Sequence, residues 1–339
     1  MTQARLNLQL VVSLVALVLI FTACSPGGQS GGGDKNGSGP VIQLIGADGQ
    51  AKDVTVTEMS EMGVFEGLGS FKKSTGAIEG PYNCKGIKMF DLIAGAGATA
   101  SSGVEVVAAD GYAMTYTAEQ IAGDVMTYDS EGNALRLGGI TMTLAYEIDE
   151  KQDFEGSPRV VFLAGENVIT DGHFWARDVK TIRVLPEVKD WSISLAGIEE
   201  ASMDRATYES VATCPDTRHP ALTWEYTDKE GQSHTYEGVP LWVLLSMVDG
   251  ADPILGHYRF NDDLAREGYV VKIISRDGYS VELESQLVAR NSKILAAYKK
   301  NGDYLPEDEF PLILAGEDLP SKKYMLKQID KIELNKLPE

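Results

Sequence analysis

Cysteine and histidine are scarce in this chain, and positive charge is in short supply. Three cysteines and four histidines occur among 339 residues. No Cys-x-x-Cys pair exists and no two histidines stand at ligand spacing, so a zinc-type site has no donor set to start from. His173, His219, His234 and His257 therefore read as surface or structural side chains. Lysine and arginine number 30 against 50 aspartates and glutamates, a net charge of −20. That balance argues against nucleic acid and against an electrostatic grip on anionic lipid. The glycine-rich run from Gly95 to Gly103 follows a helical pattern rather than a strand and lacks the lysine of a phosphate loop, so it reads as a linker. Asp303 to Asp308 lacks the glycine and glutamate of a calcium loop. No serine-nucleophile elbow stands out in the body of the chain. No apolar run reaches the ~20 residues of a membrane-spanning helix.

What is present begins with an apolar stretch from Leu10 to Phe21, 12 residues behind the single cation Arg5. That is the length of a signal-peptide core. It runs into Phe21-Thr22-Ala23-Cys24, which resembles the lipobox of bacterial lipoproteins, with Phe21 in place of the usual leucine. The resemblance implies a signal over residues 1–23 and a lipid on Cys24. An ordinary secretory signal or an uncleaved anchor are the other readings. Residues 24–40 are rich in glycine and serine, with no apolar side chain beyond two prolines, and form a flexible tether. The expected address is the extracytoplasmic face of a cell membrane, with the lipid bilayer as a partner. Outside the cytoplasm the two other cysteines, Cys84 and Cys214, could pair.

The body repeats itself, which is the feature to seek first in any chain. Gly86 with Leu92-Ile93 matches Gly238 with Leu244-Leu245. Asp110-Gly111-Tyr112 matches Asp277-Gly278-Tyr279, and each precedes an alternating strand, Ala113 to Thr117 and Ser280 to Glu284. Leu144-Ala145-Tyr146 parallels Leu295 to Tyr298, and Leu163 to Glu166 parallels Leu314 to Glu317. Both copies close in a strand, Val179 to Val184 and Ile329 to Leu334. The spacing between copies varies, so insertions are expected around Thr127 to Gly139 and around Gly256 to Gly268, where loops absorb length cheaply. Gly238-Val239-Pro240-Leu241 reads as a turn feeding a helix whose buried face is Leu241, Leu244, Leu245 and Val248. Asp-Gly joins two strands into a hairpin. Each copy is then an α+β unit of short strands with two or three helices. The boundaries are 41–187 for the first copy and 188–339 for the second, with one connection between them near Pro186 to Asp190.

These landmarks, in this order, resemble the molybdopterin-binding domain of the sulfite oxidase family. The resemblance spans Val41 to Val184 and again Trp191 to Leu334. It implies two tandem domains of that fold. The family holds molybdenum with a cysteine thiolate upstream of the Gly-Val-Pro-Leu turn, and the pterin phosphate with a His-Gly-x-Pro-x-Arg segment. Here the upstream strand Leu222 to Thr227 has no cysteine, Cys214 stands earlier, and Cys84 sits inside its turn. The phosphate segment is Glu155-Gly156-Ser157-Pro158-Arg159 in one copy and Glu309-Phe310-Pro311 in the other. A carboxylate facing a phosphate is repulsive. The expectation is the fold without the cofactor.

Candidate pocket residues are Asp110, Tyr112, Asp277, Tyr279 and Cys214, with His173-Phe174-Trp175-Ala176-Arg177 as a second rim that could bind an organic anion. A turn with a packed tyrosine is the plainer account of each Asp-Gly-Tyr. No catalytic or metal-ligating residue is assigned. The leading functional expectation is a non-catalytic binding or interaction lipoprotein with a protein or small-molecule partner. The alternatives are a molybdopterin-dependent oxidoreductase and a solute-binding lipoprotein.

Overall fold

The computed structural model describes residues 41–149, 158–214, 221–251 and 259–338. Cys24, the signal, the tether, His219, His257 and Glu155 to Ser157 lie outside them. No helix among the described residues is long and apolar enough to cross a membrane.

In the first half, β1 (Val41–Ile45) and β2 (Ala51–Thr55) form a hairpin, and Thr55 opens α1 (Val56–Met62). Its hydroxyl accepts from the Glu58 amide while the Glu58 carboxylate accepts from the Thr55 amide, a reciprocal cap. Then come β3 (Phe65–Lys72), β4 (Ile78–Lys88), α2 (Met89–Ala94), β5 (Gly103–Ala108), β6 (Ala113–Tyr116) and α3 (Ala118–Ile121). The short β7 (Thr127–Tyr128) and β8 (Ala134–Leu135) are the insertion expected around Thr127 to Gly139. β9 (Thr141–Ile148), β10 (Arg159–Leu163), β11 (Val168–Asp171), a 3-10 turn over Gly172–Phe174 and β12 (Val179–Leu185) complete the half.

The second half repeats the order. β13 (Ser192–Ala196) and β14 (Glu200–Asp204) lead into α4 (Arg205–Thr213), capped by the Asp204 carboxylate on the Thr207 amide. β15 (Leu222–Thr227), β16 (Ser233–Pro240), α5 (Leu241–Leu245), α6 (Asp262–Glu267), β17 (Val270–Ser275), β18 (Ser280–Glu284) and α7 (Ser285–Val288) follow. β19 (Leu295–Lys300), β20 (Asp303–Tyr304), β21 (Ile313–Ala315), a 3-10 turn over Lys322–Tyr324 and β22 (Ile329–Asn335) end it. Among its described residues the second half has four α-helices rather than two or three, because α6 and α7 flank the β17–β18 hairpin. Strands dominate, with helices at their edges, an α+β arrangement.

The two halves match in connectivity. One five-stranded sheet runs β2-β1-β12-β5-β6 and the other β14-β13-β22-β17-β18. In each, the first strand lies parallel to the closing strand and every other pair is antiparallel. Gly86 and Gly238 both sit beside a bulge, where a Cβ would strike the carbonyl of Leu144 or Ala296. Gly111 and Gly278, with φ of 90° and 86°, make the hairpin turns. In both turns the aspartate accepts from the tyrosine amide at 3.0 Å. Leu241, Leu244, Leu245 and Val248 are all fully buried, the helical face read from their spacing.

Two glycines make the halves differ. Gly67 pairs with Cys84, and Trp224 takes the same place opposite Tyr236; Gly69 pairs with Tyr82, and Tyr226 with His234. A Cβ on Gly67 or Gly69 would lie 2.7 Å from the Ala164 carbonyl or 2.5 Å from that of Phe162. The bare backbone lets β10 cross β3, and Leu68 and Ala164 exchange both hydrogen bonds, at 2.9 and 3.1 Å. β10, β9, β4 and β3 thus curl until the first meets the last. In the second half the stacked rings of Trp224 and Tyr226, 5.2 Å apart, fill that space, and β21 pairs with β19 alone.

The halves have separate cores, and α4 joins them. Ala206 belongs to the first core, Tyr208 and Ala212 to the second. Arg205, Glu209 and Thr213, spaced by four along one helical face, meet the outer edge of β6. The Glu209 carboxylate accepts from the Thr115 amide (2.9 Å), Arg205 donates to the Thr115 carbonyl (2.8 Å), and the Thr213 hydroxyl accepts from the Ala113 amide (3.0 Å) and donates to its carbonyl (2.8 Å). Three side chains thereby complete a strand edge that would otherwise be unpaired. Arg205 and Glu209, 1% and 2% exposed, are 3.0 Å apart. Asp190 and Gln120 take further guanidinium hydrogens, and Tyr304 donates to Glu209 at 2.8 Å. The described residues belong to one compact unit.

Arg205→Leu strands a buried carboxylate, so chemical denaturation is expected to show a loss of about 3–5 kcal/mol, most of it recovered in Arg205→Leu/Glu209→Leu. Equal losses in the single and double variants would show that the pair does not act as a unit.

Candidate anion-binding cleft

A cleft of about 1330 Å³ opens between the two halves. The first half contributes the end of β3 with Lys72 and Lys73, the Asp110–Tyr112 turn, Arg159 at the start of β10, and the segment from Gly172 to Arg177. The second half contributes Thr207, Ser210, Val211 and Cys214 from a second face of α4, then Trp242, Val243, Ser246 and Met247, with Arg259 and Arg290. α4 can serve both purposes because 207, 210, 211 and 214 fall on one helical face and 205, 209 and 213 on another.

The cleft is cationic in a strongly acidic protein. Among the described residues six lysines and arginines line it against three carboxylates, Glu79, Asp110 and Asp171. Each carboxylate has a local task. Glu79 pairs with Lys73, Asp110 caps the Tyr112 amide, and Asp171 accepts from the Tyr128 hydroxyl at 2.8 Å.

Arg159 is the most constrained cation. Its guanidinium lies over the rings of Phe71 at 5.1 Å and Trp175 at 5.3 Å. Its Nε is buried with no hydrogen-bond partner among the described residues. Burial, with the nearby charge of Arg177, pulls its pKa down to about 10, which leaves it charged at neutral pH. A buried donor is almost always paired in a folded protein, so an unpaired guanidinium nitrogen is a standing demand for an acceptor.

His173 Nε2 is also buried and unpartnered among the described residues. Burial lowers the His173 pKa, so the ring is neutral and adds no charge. Behind it lies a smaller hollow of about 410 Å³ whose lining includes Glu119, Asp124, Asp171, Asp190 and Asp204. His173 thus stands between a cationic and an acidic space. The Tyr112 hydroxyl donates to the His173 carbonyl at 2.7 Å and lies 3.4 Å from Ser210 Oγ, tying the first turn to α4. Burial raises the Tyr112 pKa far above the neutral range, so it remains a donor.

The cleft gathers Asp110, Tyr112, His173, Trp175, Arg177 and Cys214 from the sequence candidates. It does not gather Asp277 and Tyr279. Tyr279 is 56% exposed and Asp277 only serves its own turn, bonding the Ser275 hydroxyl and the Tyr279 amide. The reason is asymmetric: α4 covers β6 beside the first turn, and no described helix pairs in that way with the β18 edge beside the second.

Cys84 and Cys214 are both free thiols, so the pairing weighed from sequence is not formed. Cys84 is on β4 in the first core, 1% exposed, whereas Cys214 ends α4 on the cleft wall. Burial pushes the Cys84 thiol up to about 12. Among the described residues no group of His, Cys, Asp and Glu is placed to hold a metal ion.

No family model matches the chain, and no curated protein matches it. Among solved structures, the sulfane dehydrogenase SoxCD from Paracoccus pantotrophus is similar. The match has 16% identity and a TM-score of 0.29, covering 43% of this chain and 38% of that one. The chain therefore spans well under half of the protein it matches. A likeness at that level identifies neither fold nor activity.

Sequence reasoning named Trp175 and Arg177 of the first wall as a candidate anion rim but passed over Arg159 itself and Trp242, Arg259 and Arg290. Pro158-Arg159 was visible as a displaced arginine of the phosphate-side segment. Trp242 and Arg290 come from separate elements and have no shared local signal.

At neutral pH a thiol reagent is expected to modify Cys214 in the native protein and Cys84 only after unfolding. Cys214→Ser should abolish native labelling of the body and Cys84→Ser should leave it. Equal native labelling at Cys84 would contradict its burial.

Proposed function

We infer that this protein is a membrane-tethered binding lipoprotein, without chemistry of its own, that holds a small organic anion in the cleft between two sulfite-oxidase-like halves. The observation that carries this reading is Arg159, a cation held against two aromatic rings with a buried nitrogen that lacks an acceptor. A cation set in a partly apolar cleft suits an organic ligand with an acidic group. The cleft also favours the solute-binding form of the reading over a purely protein-binding one, because the partner surface is concave. The halves correspond to 41–187 and 188–339, exposed outside the cytoplasm and tethered through 24–40 to a lipid on Cys24.

The molybdopterin reading fits these residues poorly. Cys84 is a protonated core thiol, and Cys214 reaches the Arg159 wall only across the junction between halves. In the second half the residue paired as Arg159 is with Ala145 is Ile313, opposite Ala297 and 1% exposed. In the first half Cys84 lies near enough to Arg159 to feel its charge, but it is a buried core thiol, and the second half has no cation at the matching position, so no step through that cofactor is drawn.

Thermal unfolding and calorimetry with a panel of aromatic and aliphatic carboxylates, sulfonates and phosphates test the binding claim. At least one class should raise Tm, and Arg159→Gln should weaken its binding roughly 10- to 100-fold, the range for a hydrogen bond to a charged group. Indifference to the whole panel, or binding untouched by Arg159→Gln, would sink the reading. The tether has its own test: Cys24→Ser should abolish incorporation of labelled fatty acid and move the protein from the membrane to the soluble fraction. Unchanged membrane association would argue for another anchor.

A further inference from the structure

The cleft has two cationic walls that belong to different halves, and they are built alike. On the first wall Arg159 rests on Trp175 and Phe71, with Arg177 beside it in the lining. On the second, Arg290 rests on Trp242 at 4.9 Å and Phe260 at 5.4 Å, with Arg259 beside it. Asp262 holds Arg290 through Nε and Nη2, at 3.0 and 2.9 Å, which fixes the plane of the guanidinium over the tryptophan. The lining also includes the apolar side chains Val211, Val243 and Met247.

Three observations select a ligand from this arrangement. The volume of about 1330 Å³ is beyond the usual range for small-molecule pockets, so one carboxylate or phosphate on the first wall would leave most of the space to water. The second wall is cationic as well, so a monoanion bound at Arg159 leaves Arg259 and Arg290 facing its uncharged end. The walls cannot drift together to share one charge, because α4 lines the cleft with one face while another is locked to β6 by Arg205, Glu209 and Thr213.

We propose that the ligand is a dianion with an unsaturated or aromatic centre, one acidic group on Arg159 and Arg177 and the other on Arg259 and Arg290. This rests on the anion-binding reading above and adds to it the number of charges and the nature of the spacer between them. At each end a tryptophan orients a guanidinium, and the partly exposed Trp242 also offers ring surface to the carbon skeleton, whereas Trp175 is buried. A divided charge also gives specificity, since a monoanion of the same shape leaves the second wall, where Asp262 already offsets Arg290, with Arg259 unmatched.

Calorimetric titration of the full chain with two matched series decides the matter. The dianions are terephthalate, naphthalene dicarboxylate and biphenyl dicarboxylate; the monoanions are benzoate, naphthoate and biphenyl carboxylate. At least one dianion should bind 10-fold or more tightly than its monoanion. Arg290→Gln, and Arg259→Gln at an exposed position where folding is not at stake, should lower dianion affinity toward the monoanion value and leave monoanion affinity unchanged. Equal affinity across every matched pair, with both second-wall variants silent while Arg159→Gln still acts, would overturn the dianion and leave the anion reading standing. Failure of both series and of inorganic phosphate would remove both.

Discussion

The contact between α4 and the edge of β6 holds this architecture together. Two sheets of the same connectivity, each with its own core, would otherwise be beads on a six-residue connector between Leu185 and Ser192. The contact is made of side chains that imitate a strand, and its central members are a buried arginine and glutamate. Such a pair is expensive to desolvate and adds little net stability over an apolar replacement, but it tolerates one geometry only. What it supplies is position. With β6 and α4 in register, the first Asp-Gly-Tyr turn faces Ser210, and the wall bearing Arg159 faces the wall bearing Trp242.

Charge has a similar division between whole and part. The chain carries a net charge of −20, yet its cleft collects six cations. An acidic exterior slows the approach of anions from a distance, while the concave lining favours them at close range, where the dielectric is low and screening weak. Such a protein discriminates by fit more than by long-range attraction. The apolar residues in the lining work in the same direction, since a small hydrated ion has nothing to gain from them.

Much of the scaffold was legible in the sequence, and for identifiable reasons. Gly86 and Gly238 are needed because strands approach too closely for a side chain, Asp110-Gly111 and Asp277-Gly278 because a tight hairpin needs positive φ, and Leu241 to Val248 because one helical face must be apolar. These constraints are local, so they leave local traces. The cleft is not local. Arg159, Cys214, Trp242 and Arg290 come from four elements in two halves, and their meeting depends on where α4 docks. The same docking explains why Tyr112 faces a cavity while Tyr279, its counterpart by sequence, faces solvent. The two-copy pattern predicted equivalent sites, and equivalence fails wherever one copy leans on the other. Gly67 and Gly69 against Trp224 and Tyr226 were a readable contrast too, but their meaning needed the path of β10.

The seating of Thr115 against Glu209 spans 94 positions of sequence. A chain made from its amino terminus finishes β6 long before α4 exists. For that interval the first half can complete its core and curl β10 against β3, yet it carries an uncovered strand edge, the kind of surface that pairs with the wrong neighbour. The second half arrives as both partner and guard. In the language of assembly, the cleft is the last feature to come into being, and while it is forming the nascent chain's exposure to misassociation is set by how quickly nine residues of helix reach one strand.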